Sequence, residues 1–217
     1  MPCNCCEITD SVFSEAEAKS ELKSYRRRGP ASQTKLILQA IRSLRLENVA
    51  LLDIGGGIGA IHHELLEDVA QKATHVDASS AYLKEAKAEA ARRKHSDRVD
   101  FIHADFTDVA AELPKADVVT LDRVVCCYPD FRRLLKAAAE HSQRALALTY
   151  PRETWFMRIG FGTMNFFQRL RKDPFRVFLH PVTEMDALLK REGFERVSLR
   201  RLFVWEMALY QRSGVAS

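Results

Sequence analysis

The segment Leu51-Leu52-Asp53-Ile54-Gly55-Gly56-Gly57-Ile58-Gly59-Ala60 puts glycines where an apolar run gives way to a helical pattern. Glycine tolerates positive φ and lets backbone amides approach a ligand closely, and the N-terminus of the following helix favours a negative group. A carboxylate or a phosphate suits such a turn. Gly55-x-Gly57-x-x-Ala60 also satisfies the dinucleotide fingerprint, so the turn alone leaves two kinds of adenosyl cofactor open. Other acids must decide. Asp53, two residues before the first glycine, would repel a pyrophosphate and attract the ammonium of a methionine moiety. That favours S-adenosylmethionine (SAM) over NAD. Asp77, followed by Ala78, ends the next β-type run, where two carboxylate oxygens can accept from both ribose hydroxyls. Asp105 ends a third run and can accept the adenine amino proton, while Phe106 can lie against the ring.

These acids need strands to carry them. Short β-type runs occur at Val49–Ile54, Ala73–Val76, Val99–His103, Asp117–Leu121 and Ala145–Thr149. Helical patterns lie between them at Ile58–Val69, Ala81–Arg93, briefly near Val109–Leu113, and at Phe131–His141. This alternation predicts an α/β fold in which right-handed crossovers assemble a parallel sheet. Runs that are apolar throughout, such as Val118-Val119-Thr120-Leu121, suit strands covered on both faces. Ahead of the first strand, Glu15–Arg28 and Gln33–Leu44 read as two helices broken at Gly29-Pro30, a helical cap for one end of the sheet. After the fifth strand comes an aromatic and basic stretch, Trp155–Phe178. Helix Glu184–Arg191 ends at Gly193, and Val197–Leu202 and Val204–Tyr210 read as two last strands able to pair as an antiparallel edge.

The 217 residues are 47% hydrophobic and 29% charged, which suits one globular domain with a substantial core. The expected division is a cap over residues 1–46, a cofactor-binding core over 47–150, and a lid insertion with the C-terminal strands over 151–217. A net charge of +4, with both signs interleaved, gives no reason to expect a nucleic-acid partner. No apolar stretch approaches the roughly 18 residues that span a bilayer, and the first residues lack the order of a signal peptide, so a cytoplasmic location is expected. Five cysteines fall in two clusters, Cys3, Cys5 and Cys6 and then Cys126 and Cys127, neither with C-x-x-C spacing. Packing and metal binding both remain open for the cysteines, and no metal ligand set is predicted.

With the glycine turn and the three acids in view, the chain is similar to the class I SAM-dependent methyltransferase superfamily, closely over residues 48–150 and in layout beyond. The resemblance implies a Rossmann-like, seven-stranded, mostly parallel sheet with an antiparallel last strand and helices on both faces. It implies that Asp53, Gly55, Gly57 and Gly59 face the methionine portion, Asp77 the ribose and Asp105 the adenine, and that Asp122 and Arg123 open the loop after strand 4 beside the methyl group.

A sulfonium is already an activated donor, so such an enzyme mainly holds the acceptor in line and excludes water. A hydroxyl acceptor must lose a proton, whereas a carboxylate arrives ionised. Tyr128-Pro129, Tyr150-Pro151 with Trp155, and Phe178-Leu179-His180 resemble the magnesium-protoporphyrin O-methyltransferases, which esterify a porphyrin propionate. That family has a histidine just before the Tyr-Pro pair, where this chain has Cys127. Tyr128 and His180 are the catalytic candidates. The insertion sets Arg152, Arg158, Arg169, Arg171, Lys172 and Arg176 among aromatic residues, which suits a small anionic or aromatic acceptor. The expected function is therefore SAM-dependent methylation of such a molecule, with O-methylation favoured and a carboxylate among the acceptors it would suit. The alternative is a non-catalytic SAM-binding or thiol-metal-binding regulator.

Overall fold

The computed structural model describes residues 14–171 and 175–214. Cys3, Cys5, Cys6 and Lys172 lie outside the described residues, as do the ends of the expected cap and of the last segment.

Helix α1 (Glu15–Arg28) begins with a capping box, the Ser14 hydroxyl accepting from the Glu17 amide while the Glu17 carboxylate accepts from the Ser14 amide. It ends at Gly29, whose φ of 74° needs no Cβ. Its basic last turn is not simply solvated, because Arg26 donates to the buried Glu89 at 2.8 Å. Helix α2 (Ser32–Ser43) follows.

The sheet and its helices then alternate: β1 (Val49–Ile54), α3 (Ala60–Leu65), β2 (Ala70–Asp77), α4 (Ser80–Arg93), β3 (Val99–His103), α5 (Phe106–Val109), β4 (Ala116–Asp122), α6 (Phe131–His141) and β5 (Ser142–Pro151). Last come α7 (Trp155–Leu170), α8 (Val182–Arg191), β6 (Phe194–Arg201) and β7 (Trp205–Arg212). The strand order is β3-β2-β1-β4-β5-β7-β6, with β7 antiparallel to both its neighbours. Chain direction across the sheet reverses between β1 and β4. That switch point opens a crevice beyond the C-terminal strand ends, where ligands bind in open α/β sheets.

The doubly apolar strands serve two cores. Leu52, Ile54, Val119 and Leu121 pack towards α6 and α8, whereas Leu51 and Val118 pack towards α2 and α3. Period-2 alternation sends neighbours to opposite faces.

Several boundaries differ from the sequence reading: the fifth strand runs over Ser142–Pro151, the sixth begins at Phe194, and the short helix near Val109 begins at Phe106. The helix expected over Ile58–Val69 covers only Ala60–Leu65, and the strand expected at Ala73–Val76 begins at Ala70. Gln71 and Lys72 are exposed, so this end of β2 has no apolar signature, yet the Arg98 guanidinium holds the Ala70 and Gln71 carbonyls at 2.6 and 2.8 Å. The insertion, read only by composition, contains the 16-residue helix α7.

Candidate active site

Over the switch point lies a cavity of about 550 Å³ lined by the glycine turn, the tips of β2, β3 and β4, the loop after β4, and the insertion. A second cavity of about 460 Å³ runs on beneath α1 and α2 and shares Glu21, Gly55, Gly57, Asp122 and Arg123 with the first. Gly55 has φ 59°, and a Cβ there would meet the Val124 side chain at 2.5 Å, so both backbone and space require glycine.

Asp77 ends β2 with its carboxylate aimed back at the turn. It accepts from the Gly57 and Ser79 amides, each at 2.8 Å. Burial raises its pKa to about 6, against the lowering effect of those two amides. Each oxygen is bonded once, which leaves lone pairs facing the cavity. Asp105 caps α5, accepting from the Thr107 amide at 2.9 Å, and takes the Tyr128 hydroxyl at 3.1 Å. Phe106 is 4% exposed, lining the cavity floor while its ring edge meets His141.

Asp122 ends β4 between two threonine hydroxyls, Thr34 from α2 and Thr149 from β5, each at 2.5 Å. Burial raises its pKa, with Arg123 opposing. Arg123 has φ 63°, a left-handed conformation uncommon for a side chain of that size. It is held there by its amide donating to Thr149 at 2.9 Å and its guanidinium donating to Glu21 at 2.7 Å.

Asp77, Ala78, Asp105, Phe106, Asp122, Arg123, Gly55 and Gly57 thus line one cleft, with Tyr128 at its far side. Asp53 and Gly59 line neither cavity. The Asp53 carboxylate is fully buried under the glycine turn, accepting from Thr120 at 2.7 Å. Its position at a strand tip was legible in the sequence, but the face it points to was not.

Glu21, Thr34 and Tyr82 were missed. Glu21 accepts from Tyr82 at 2.8 Å as well as from Arg123, and so joins α1 to both sides of the cleft. An acid on a charged helix and a threonine on an amphipathic one carry no local signal of such a role.

In the loop after β4, Cys126 and Cys127 line the cavity with sulfurs 3.7 Å apart, and the Cys126 thiol holds that of Cys127 below its usual range. Tyr128 bonds Thr107 at 2.6 Å and Asp105, and burial pushes its phenol up to about 12. His180 stands behind this loop and not in the cavity. Its Nε2 lies 2.9 Å from the Tyr128 carbonyl and its ring stacks on Phe178, while burial lowers its pKa. The Phe178 amide donates to the Cys126 carbonyl at 2.7 Å, fastening the insertion to the loop. Of the insertion's cations, Arg176 lines the cavity with Phe161, Met164, Phe175 and Phe178. Arg158 pairs instead with Glu153 and Arg152 with Glu206.

The family model described as a methyltransferase domain matches residues 51–144, the stretch from β1 into β5 that supplies the turn and the acids. Over these residues the chain is similar to a methyltransferase domain. A search of curated sequences finds no match. Among solved structures, the chain is similar to the magnesium protoporphyrin IX methyltransferase of Synechocystis with bound S-adenosylhomocysteine, with 16% identity, a TM-score of 0.74, and coverage of 97% of this chain and 100% of that one. An O-methyltransferase family protein from Burkholderia thailandensis matches at 15% identity and TM-score 0.72, covering 95% of this chain and 62% of that one. A protein from Galdieria sulphuraria described as a sarcosine dimethylglycine methyltransferase by inference matches at 12% identity and TM-score 0.66, with 83% and 85% covered. These likenesses carry the fold. Among the described residues no helix is long and apolar enough to cross a membrane.

Proposed function

We infer that the protein is a SAM-dependent methyltransferase that transfers the methyl group to an oxygen of a small, flat, anionic molecule, with a carboxylate as the favoured acceptor. In this reading residues 1–217 act as one domain, 1–46 closing the methionine end, 47–150 holding SAM and 151–217 covering the acceptor.

Gly55 and Gly57, their own amides bonded to the Val76 carbonyl and the Asp77 carboxylate, let the methionine portion approach the backbone closely, and Asp122, backed by Thr34 and Thr149, faces its ammonium. Arg123 shapes this end through its bond to Glu21. Asp77 accepts from the ribose hydroxyls beside Ala78. Asp105 accepts from the adenine amino group, with Phe106 beneath the ring. Asp53 and Gly59 act from below, fixing the turn without touching the cofactor. The homocysteine sulfur would then face the loop holding Tyr128.

The observation that carries the acceptor class is Tyr128. A phenol with a pKa of about 12, whose proton points to Asp105, donates hydrogen bonds and removes no proton at neutral pH. An acceptor that arrives ionised fits a wall of this kind, and the aromatic lining around Arg176 suits a planar anion. His180 is a positioning residue that holds the Tyr128 backbone. The name of the Synechocystis neighbour, a porphyrin methyltransferase, agrees in acceptor chemistry.

Incubation with methyl-tritiated SAM and a panel of porphyrin and aromatic carboxylic acids tests this. The expected product releases its label as methanol in mild alkali, as methyl esters do. Label stable to alkali would identify an ether, amine or thioether and overturn the carboxylate assignment.

A further inference from the structure

Beneath the glycine turn, on the opposite side from the cavity, Asp53, His62 and His75 bring three ligand atoms within 4.8 Å of one another, and all three side chains are fully buried. Sheet register makes the arrangement. Asp53 lies opposite His75 of β2 on one side and Thr120 of β4 on the other, and strand parity turns this row to the face covered by α3. Helix α3 supplies His62, whose Nδ1 stands 3.2 Å from Asp53 Oδ2 and 3.2 Å from His75 Nδ1.

Protons satisfy this triangle poorly. His62 Nδ1 has one hydrogen or one lone pair, yet it faces a carboxylate oxygen and a second ring nitrogen at equal distance. One of those two contacts is therefore left without a proton, and a fully buried polar atom in that state costs about 1–3 kcal/mol.

A cation meets the triangle better. Tetrahedral bonds of about 2.0–2.1 Å separate ligand atoms by about 3.3 Å, close to the 3.2 Å between His62 Nδ1 and each of the other two. Two imidazoles with one carboxylate is a donor set for zinc and its neighbours, not for calcium or magnesium, which take oxygen. The surroundings hold the ligands in place. Thr120 fixes the other Asp53 oxygen at 2.7 Å, and both imidazoles pack on Phe101. Gly56 closes the top, since a Cβ there would stand 2.7 Å from both Asp53 Oδ2 and His75 Nδ1.

We propose that Asp53, His62 and His75 form a divalent transition-metal site of the zinc type, structural in role, which ties β1, β2 and α3 together under the cofactor turn. The site is separate from the cavity cysteines and independent of the acceptor assignment.

The test uses the full chain dialysed against zinc or cobalt(II) alone, freed of loose metal, and examined by elemental analysis and X-ray absorption. One ion per chain is expected, with a nitrogen and oxygen shell at about 2.0–2.1 Å showing imidazole scattering, and a lower melting temperature after chelation. His75→Phe and His62→Phe should each lose the ion, and Cys126→Ser with Cys127→Ser should keep it. A sulfur shell near 2.3 Å, or retention of the ion in either histidine variant, would overturn the site. So would a metal-free wild-type protein that still binds SAM, which would mark the triangle as a proton-sharing cluster. The absorption measurement needs only wild-type protein, so a variant that fails to fold leaves the question answerable.

Discussion

The two halves of the cleft are built by different means. The half at the strand tips is made of buried or half-buried acids, each already bonded on more than one side: Asp77 to two amides, Asp105 to Thr107 and Tyr128, Asp122 to two threonines. The half at the insertion is made of aromatic surface on α7, where only Met157 is buried and Trp155, Phe166 and Phe167 are 74%, 59% and 54% exposed. A cofactor common to many enzymes can be met by fixed polar groups on a rigid sheet. An acceptor peculiar to one enzyme is met by a segment whose sequence answers to little else.

The largest difference should be in stability. Leu121 is fully buried between α6 and the sheet, and Leu121→Ala should cost about 2–5 kcal/mol in urea unfolding. A cost below about 1 kcal/mol would mean that the sheet half is not the rigid partner.

Next is cofactor affinity. Asp77→Ala removes a charged acceptor and should weaken SAM by about 1.5–3 kcal/mol, roughly 10- to 150-fold in calorimetry. Equal affinity in wild type and variant would remove Asp77 from the ribose site. The same residue gives a pH dependence. Its carboxyl titrates near 6 because burial disfavours the anion, and hydroxyl donors on the ligand favour the anion. SAM affinity should therefore be constant above about pH 7 and fall as pH drops through 6, by up to about tenfold per unit. Asp77→Asn should flatten that slope, and an unchanged slope would assign it to another group.

Much of the first half could be read in advance. Alternating apolar runs and helical patterns gave the strands, and Asp77, Asp105 and Asp122 could be placed because a strand tip in this topology faces the crevice whichever way its side chain leans. Asp53 could not be placed by the same logic. It precedes its strand end by one residue, so parity turns it down towards His62, and parity depends on register with β2 and β4 that no local pattern contains. The histidines of that cluster drew no notice because their convergence is tertiary. His180 could not be resolved either, since position in sequence does not separate a side chain in a cavity from one that props a carbonyl behind it.

The smallest expected effect sharpens the comparison most. Phe161 lines the cavity on the insertion side, whereas Phe166 lies a short way along the same helix and is exposed. If α7 serves the acceptor and not the core, Phe166→Ser should shift unfolding by less than about 0.5 kcal/mol. Phe161→Ala should leave the dissociation constant for SAM unchanged and raise the acceptor KM by up to about tenfold, the loss of part of one aromatic contact. Both readouts can fail separately. A weakened SAM site in Phe161→Ala would show that the insertion reaches across the cleft to the cofactor, and a marked loss of stability in Phe166→Ser would show that the outer face of α7 is covered in solution. The two halves would then be one cooperative unit, and the contrast drawn between them would be wrong.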